Sequence, residues 1–173
     1  DGDDRKRFDI RLAAAWRPRG EGLVVFNRFD VGREDVAGQI DKTKLVNNLA
    51  VNTMLDARTQ LSVYHGLKYV EAKLNGASAD GVTTLAGAEL RRDVTRKIDI
   101  GVHGFWTDGE ASHTSQWAIG PSVGFTPQKN VWISVGWNFS GFSDEDFEAA
   151  EYTRSGAYVK LRAKFDQDTL HSL

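Results

Sequence analysis

Cysteine is absent from this sequence, which removes disulfides, thiol nucleophiles and thiolate metal sites together. Long apolar runs are absent too. No stretch reaches the 18 or more apolar residues of a membrane-crossing helix, and mean hydropathy is below zero. Charge of one sign is lacking as well: 22 basic residues against 24 acidic ones leave a formal net charge of -2. That balance makes no case for a nucleic-acid partner. Only 3 prolines occur against 17 glycines, a ratio that suits many strands. No helix-period run of useful length competes with them. No signal peptide is visible at Asp1, so the chain reads as a mature protein or a fragment. At 173 residues, one domain is expected.

What the chain does have is period-2 alternation. Strand-like segments fall at 7–17, 22–32, 43–56, 60–74, 82–92, 97–107, 115–126, 130–140 and 153–165. In the last of them Ala157, Val159, Leu161, Ala163 and Phe165 share one face, and Tyr158, Lys160, Arg162 and Lys164 the other. Ile98, Ile100, Val102 and Trp106 likewise oppose Asp99, Gly101 and His103. Trp117, Ile119, Val123 and Phe125 oppose Ala118, Gly120, Ser122 and Gly124, and Ile133, Val135, Trp137 and Phe139 oppose Ser134, Gly136 and Asn138. A soluble sheet would hide the apolar face, whereas a membrane barrel shows it to lipid and averages out in hydropathy. Pro121, in mid-strand, and His65, on the apolar parity of 60–74, fit this pattern badly.

The connections sort into two alternating classes. Tight turns are expected at Pro18–Glu21, Ala57–Thr59, Asp93–Arg96 and Pro127–Lys129, and long loops at Arg33–Lys42, Asn75–Gly81, Asp108–Thr114 and Gly141–Tyr152. Short turns at one end and long loops at the other are the habit of outer-membrane barrels. Aromatic residues crowd at strand ends, where a barrel carries its girdles: Phe29, Tyr69, Trp106, Trp117, Trp137 and Phe139 at the loop side, Trp16, Phe125 and Phe165 at the turn side. Charged residues take the opposite parity. Arg11, Arg28, Lys68, Glu89, Arg91, Asp99, Lys160 and Arg162 are expected in the lumen, since a Lys or Arg on the lipid face near the midplane costs about 2–4 kcal/mol. Ile100, Val102, Ile119, Val123, Val135, Val159 and Leu161 are expected to face lipid.

Residues Ser155 to Phe165, with Gly156 nine positions before the final Phe, resemble the C-terminal signal strand of bacterial outer-membrane barrels. The chain departs from that pattern by continuing through Asp166 to Leu173. The segment Val131 to Phe165, with its stretches Gly136 to Phe147 and Tyr152 to Phe165, resembles the closing hairpin of barrel modules at the C-terminus of large proteobacterial surface proteins. The resemblance implies a membrane anchor, pore or translocation channel in the outer membrane of a Gram-negative bacterium, formed by the end of a longer polypeptide.

The expected fold is therefore all-β: an antiparallel up-and-down transmembrane β-barrel, or the C-terminal part of one, with about nine strands. Single-chain bacterial barrels have even strand numbers. The expectation is thus an incomplete barrel, with residues 1–6 the remnant of an external loop, 166–173 a short periplasmic tail, and upstream strands or other subunits as partners alongside lipid. The alternative is a soluble lipocalin-like barrel with Trp106, Trp117, Ile133 and Leu161 turned inward around an apolar ligand. Catalytic chemistry finds little footing. Asp108, Ser112, His103 and His113 lie near one another in sequence and suggest a third reading, a hydrolase on an outer-membrane barrel, but nothing orders them as nucleophile, base and orienter. Asp144, Glu145, Asp146, Glu148 and Glu151 are dense enough to attract Ca²⁺ but lack EF-hand spacing, and read as a solvated acidic loop. No cofactor or metal ligand set is expected.

Overall fold

The computed structural model describes residues 5–18, 22–36, 40–74, 76–128 and 131–163. Among these residues nine strands follow one another: β1 (Arg5–Trp16), β2 (Leu23–Val36), β3 (Ile40–Met54), β4 (Thr59–Leu74), β5 (Ala77–Asp93), β6 (Ile98–Gly109), β7 (Thr114–Gln128), β8 (Val131–Asn138) and β9 (Gly156–Ala163). They form one sheet in chain order, each strand antiparallel to the next. This is the expected all-β, up-and-down architecture, and each of the nine expected segments carries one strand.

The sheet is strongly rolled. Neighbouring strands lie about 4.8 Å apart, so β5 and β9 would be about 19 Å apart if the sheet were flat. Yet Lys160 Nζ on β9 stands 3.5 Å from Glu89 Oε2 on β5, and Tyr158 on β9 reaches His103 on β6 at 3.3 Å. The roll does not close. Among the described residues β1 and β9 make no pairing with each other, and β1 is exposed along its whole length.

Burial alternates in the inverse sense to a soluble sheet. Along β7, Ala118, Gly120, Ser122 and Gly124 are buried on the concave side while Ile119, Val123 and Phe125 are exposed. Along β8, Ser134, Gly136 and Asn138 are buried and Val135 and Trp137 exposed. Small and polar residues line the concave face because β-parity sends every second side chain there.

Several expected boundaries need correction. The long loops Arg33–Lys42 and Asn75–Gly81 are largely strand: β2 runs to Val36 and β3 begins at Ile40, while β4 runs to Leu74 and β5 begins at Ala77. Arg5 and Lys6, expected in a loop remnant, pair with Val36 and Asp35. The physical reason is that ladder bonds use only the backbone, so residues polar on both faces still pair. Arg5–Glu34 at 2.7 Å and Arg33–Asp41 at 3.1 Å then join neighbouring strands there. Between β6 and β7 only 110–113 lie outside strands, so 139–155 is the one long connection among the described residues. Pro121 sits within β7 opposite Val102. What stops near it is the ladder to β8, which ends at Ser122↔Gly136 and resumes only as the isolated bridge Ile119↔Ser140. A missing N–H at Pro121 thus falls where that ladder is already interrupted.

Candidate functional site

The long connection does not project into solvent. Residues 139–155 fold back across the concave face, carrying a single 3-10 turn at Glu148–Ala150. Phe142, Phe147 and Ala150 bury themselves against Val46, Leu85, Phe105 and Ala118 of the wall. Phe147 is fully buried. Gly66 makes that position available: a Cβ there would come within 2.5 Å of the Phe147 ring. A glycine inside a strand marks such a close approach.

Around this apolar seat the loop's carboxylates meet wall cations. Lys68 of β4 bonds Asp144 and lies 3.4 Å from Asp146 Oδ2; Lys44 of β3 bonds Asp146; and Arg28 of β2 lies 3.2 Å from Glu148 Oε2. Asn48 donates to the Asp146 carbonyl at 3.2 Å and accepts from the Glu148 N–H at 3.4 Å. Burial by itself would raise the Asp146 carboxyl above its ordinary value, but the bonds and charges of Lys44 and then Lys68 outweigh it and hold it lower. The acidic stretch is therefore a folded, ion-paired segment rather than the solvated loop its charge density suggested, because cations on three neighbouring strands converge on it.

The ends of the loop are tied down from below. Asn138 Nδ2 donates to the carbonyls of Tyr152 (2.6 Å) and Arg154 (2.8 Å). Its Oδ1 is then the acceptor for His103 Nε2–H at 2.6 Å, leaving His103 Nδ1 to accept from the Tyr158 hydroxyl. Thr153 Oγ1 meets the carbonyls of Phe142 and Ala150, both at 2.8 Å. Beneath the loop lies a cavity of about 330 Å³ bordered by Tyr64, Glu89, Tyr152, Lys160 and Arg162. Deeper in the concavity Arg91 bonds Asp99 at 3.2 Å and lies over the Trp132 ring at 4.3 Å, while Trp132 Nε1 donates to Asp99 at 2.7 Å.

The expected site residues distribute as follows. Arg28, Lys68, Glu89, Arg91, Asp99 and Lys160 meet partners across the concave side. Arg11 pairs with Asp30 at 2.7 Å but is 70% exposed on the edge strand, and Arg162, also exposed, lies over Trp132 at 5.3 Å. Ile100, Val102, Ile119, Val123, Val135, Val159 and Leu161 are exposed on the convex side, as are Trp16, Phe29, Trp106, Trp117, Phe125, Trp137 and Phe139. Tyr69 is half-buried, and His65 is exposed between Val63 and Leu67. Phe165 and the tail 166–173 lie outside the described residues. His103 and His113 are not brought together: one is buried in mid-β6, the other sits at φ 48° in the turn before β7. No group of three or more metal-ligating side chains converges among the described residues. Sequence reasoning missed Lys44, Asn48, Phe147 and Trp132. The signal available was Gly66, an interior strand glycine, together with acidic residues at alternate positions 144, 146 and 148.

An open roll of antiparallel strands, bridged on its concave side by one long loop, can be compared with known proteins. A solved structure titled "NanC porin structure in rhombohedral crystal form" is similar over 93% of this chain and 96% of that one, at a TM-score of 0.50 and 7% identity. The likeness is one of fold. No family model matches the chain, and no curated protein matches it in sequence.

Proposed function

We propose that this chain forms the wall of a porin-like channel in the outer membrane of a Gram-negative bacterium, narrowed by its own loop 139–155. The observation that carries this reading is the inverted burial pattern. Exposed aliphatic and aromatic side chains cover the convex face from Ile98 to Leu161, while ionic groups pair on the concave one. Water penalises such a surface, whereas hydrocarbon does not. Trp106, Trp117 and Leu161, which a soluble lipocalin-like barrel would turn inward, are exposed. The porin-like fold supports the same reading. Unpaired strand edges cannot stay in lipid, because each lost backbone bond costs several kcal/mol. Upstream strands of a longer chain, or strands of other subunits, would therefore join β1 and β9. Single cysteines at Ile100, Val102, Ile119, Val123, Val135, Val159 and Leu161 test the assignment in reconstituted vesicles. A bilayer-restricted thiol reagent should label them ahead of a water-soluble one, and the reverse order refutes the reading.

A further inference from the structure

Arg28, Lys44 and Lys68 come from three adjacent strands and turn their charged ends to the same place on the concave face. That place is filled by the chain's own Asp144, Asp146 and Glu148. One ammonium, Lys68, serves two carboxylates at once, so the anionic groups are held in a compact cluster. The Asp144 side chain shapes that cluster by accepting the Asp146 N–H at 3.0 Å. Arg28 also keeps a bond to Asp30 at 2.9 Å, so the wall contributes one carboxylate to the same centre. Beside the ion pairs opens a cavity of about 340 Å³ bordered by the cations of Arg11, Arg28 and Lys44 and by the carboxylates of Asp30, Glu145 and Asp146. Solutes thus have room next to the cations without passing the Phe147 seat.

We infer that Arg28, Lys44 and Lys68, with Asn48, form a binding site for small polyanions, which the loop occupies as a tethered competitor. The site takes compact solutes bearing several carboxylates or phosphates. A polyanion that replaces Asp144 and Asp146 at Lys44 and Lys68 releases the loop and widens the passage. The inference rests on the porin-like reading for that last consequence only. Apparent affinity falls in proportion to the fraction of molecules with the site vacant, so weakening the competitor must strengthen the ligand.

The full chain in detergent is titrated by calorimetry with tripolyphosphate and, separately, with citrate, to distinguish phosphate from carboxylate recognition. Replacing the loop charges together (Asp144→Asn, Asp146→Asn, Glu148→Gln) should tighten binding of at least one probe by about tenfold or more, the reciprocal of the vacant fraction. Adding Lys44→Gln and Lys68→Gln should abolish that gain, while Lys44→Arg with Lys68→Arg should retain it. Binding no tighter without the loop carboxylates, or undiminished without the lysines, overturns the inference. Calorimetry needs no channel, so absence of conductance with polyanion binding intact would count against the porin-like reading alone.

Discussion

Phe147 and Gly66 are a matched pair: a ring with no solvent exposure lies on a strand position that has no side chain. Truncating a buried Phe costs about 3–5 kcal/mol in a packed core, and here that loss falls on docking of the loop rather than on the wall. Phe147→Ala should therefore leave the sheet folded while the loop amides lose protection from hydrogen exchange. Gly66→Leu should do the same from the other side, since its side chain would occupy the ring's space. Protection unchanged in both variants would mean that the ring does not hold the loop.

The loop itself is an element held by charge as well as by packing, which makes it sensitive to acid. Asp146 is held below its ordinary value of 3.8, so its contribution to docking is fully present above that value and is lost as pH falls through the docked-state value. Conductance in planar bilayers should rise as pH is lowered below 3.8. Asp146→Asn should raise conductance at neutral pH and remove this residue's share of the acid response. A conductance that falls on acidification, with the variant behaving as the parent, would contradict docking through Asp146. His103, Asn138 and Tyr158 brace the loop's return into β9 by uncharged bonds, and an Asn138→Leu change should loosen it with little alteration of that acid response.

At the scale of the whole molecule the open edges pose the sharpest question. Successive pairings are all antiparallel, so odd-numbered strands run one way, β1 and β9 among them. Direct closure would need a parallel pair. An odd number of intervening strands, alternating in direction, keeps every pair antiparallel. Cysteines at Leu12 and Leu161 should therefore fail to form a disulfide within one chain in the membrane, because bridging needs Cα atoms within about 7 Å. An efficient crosslink would establish closure by β1 on β9. On the convex face, Val135→Arg should impair membrane assembly by about 2–4 kcal/mol if that position lies near the midplane, measured by the urea midpoint of folding into vesicles.

Strand number, strand order by adjacency and the two faces were legible in the residues themselves. Side-chain direction in a strand follows from local backbone geometry alone, so the parity of Ile119 against Ser122, or Val135 against Ser134, needs no knowledge of the rest of the chain. Strand ends were less legible, because backbone pairing at Arg33–Glu34 and Lys42 proceeds whatever the polarity of the side chains. The site was hardly legible at all. Whether an acidic loop meets water or cations depends on where it lands, and Asp144 finds Lys68 across 76 positions of sequence while Glu148 finds Arg28 across 120. Those encounters exist only because the sheet rolls and brings distant strands to face one interior. Alternation determined which side of each strand is polar, and the curvature of the assembled sheet decided that the polar sides enclose a space which the chain's own loop fills.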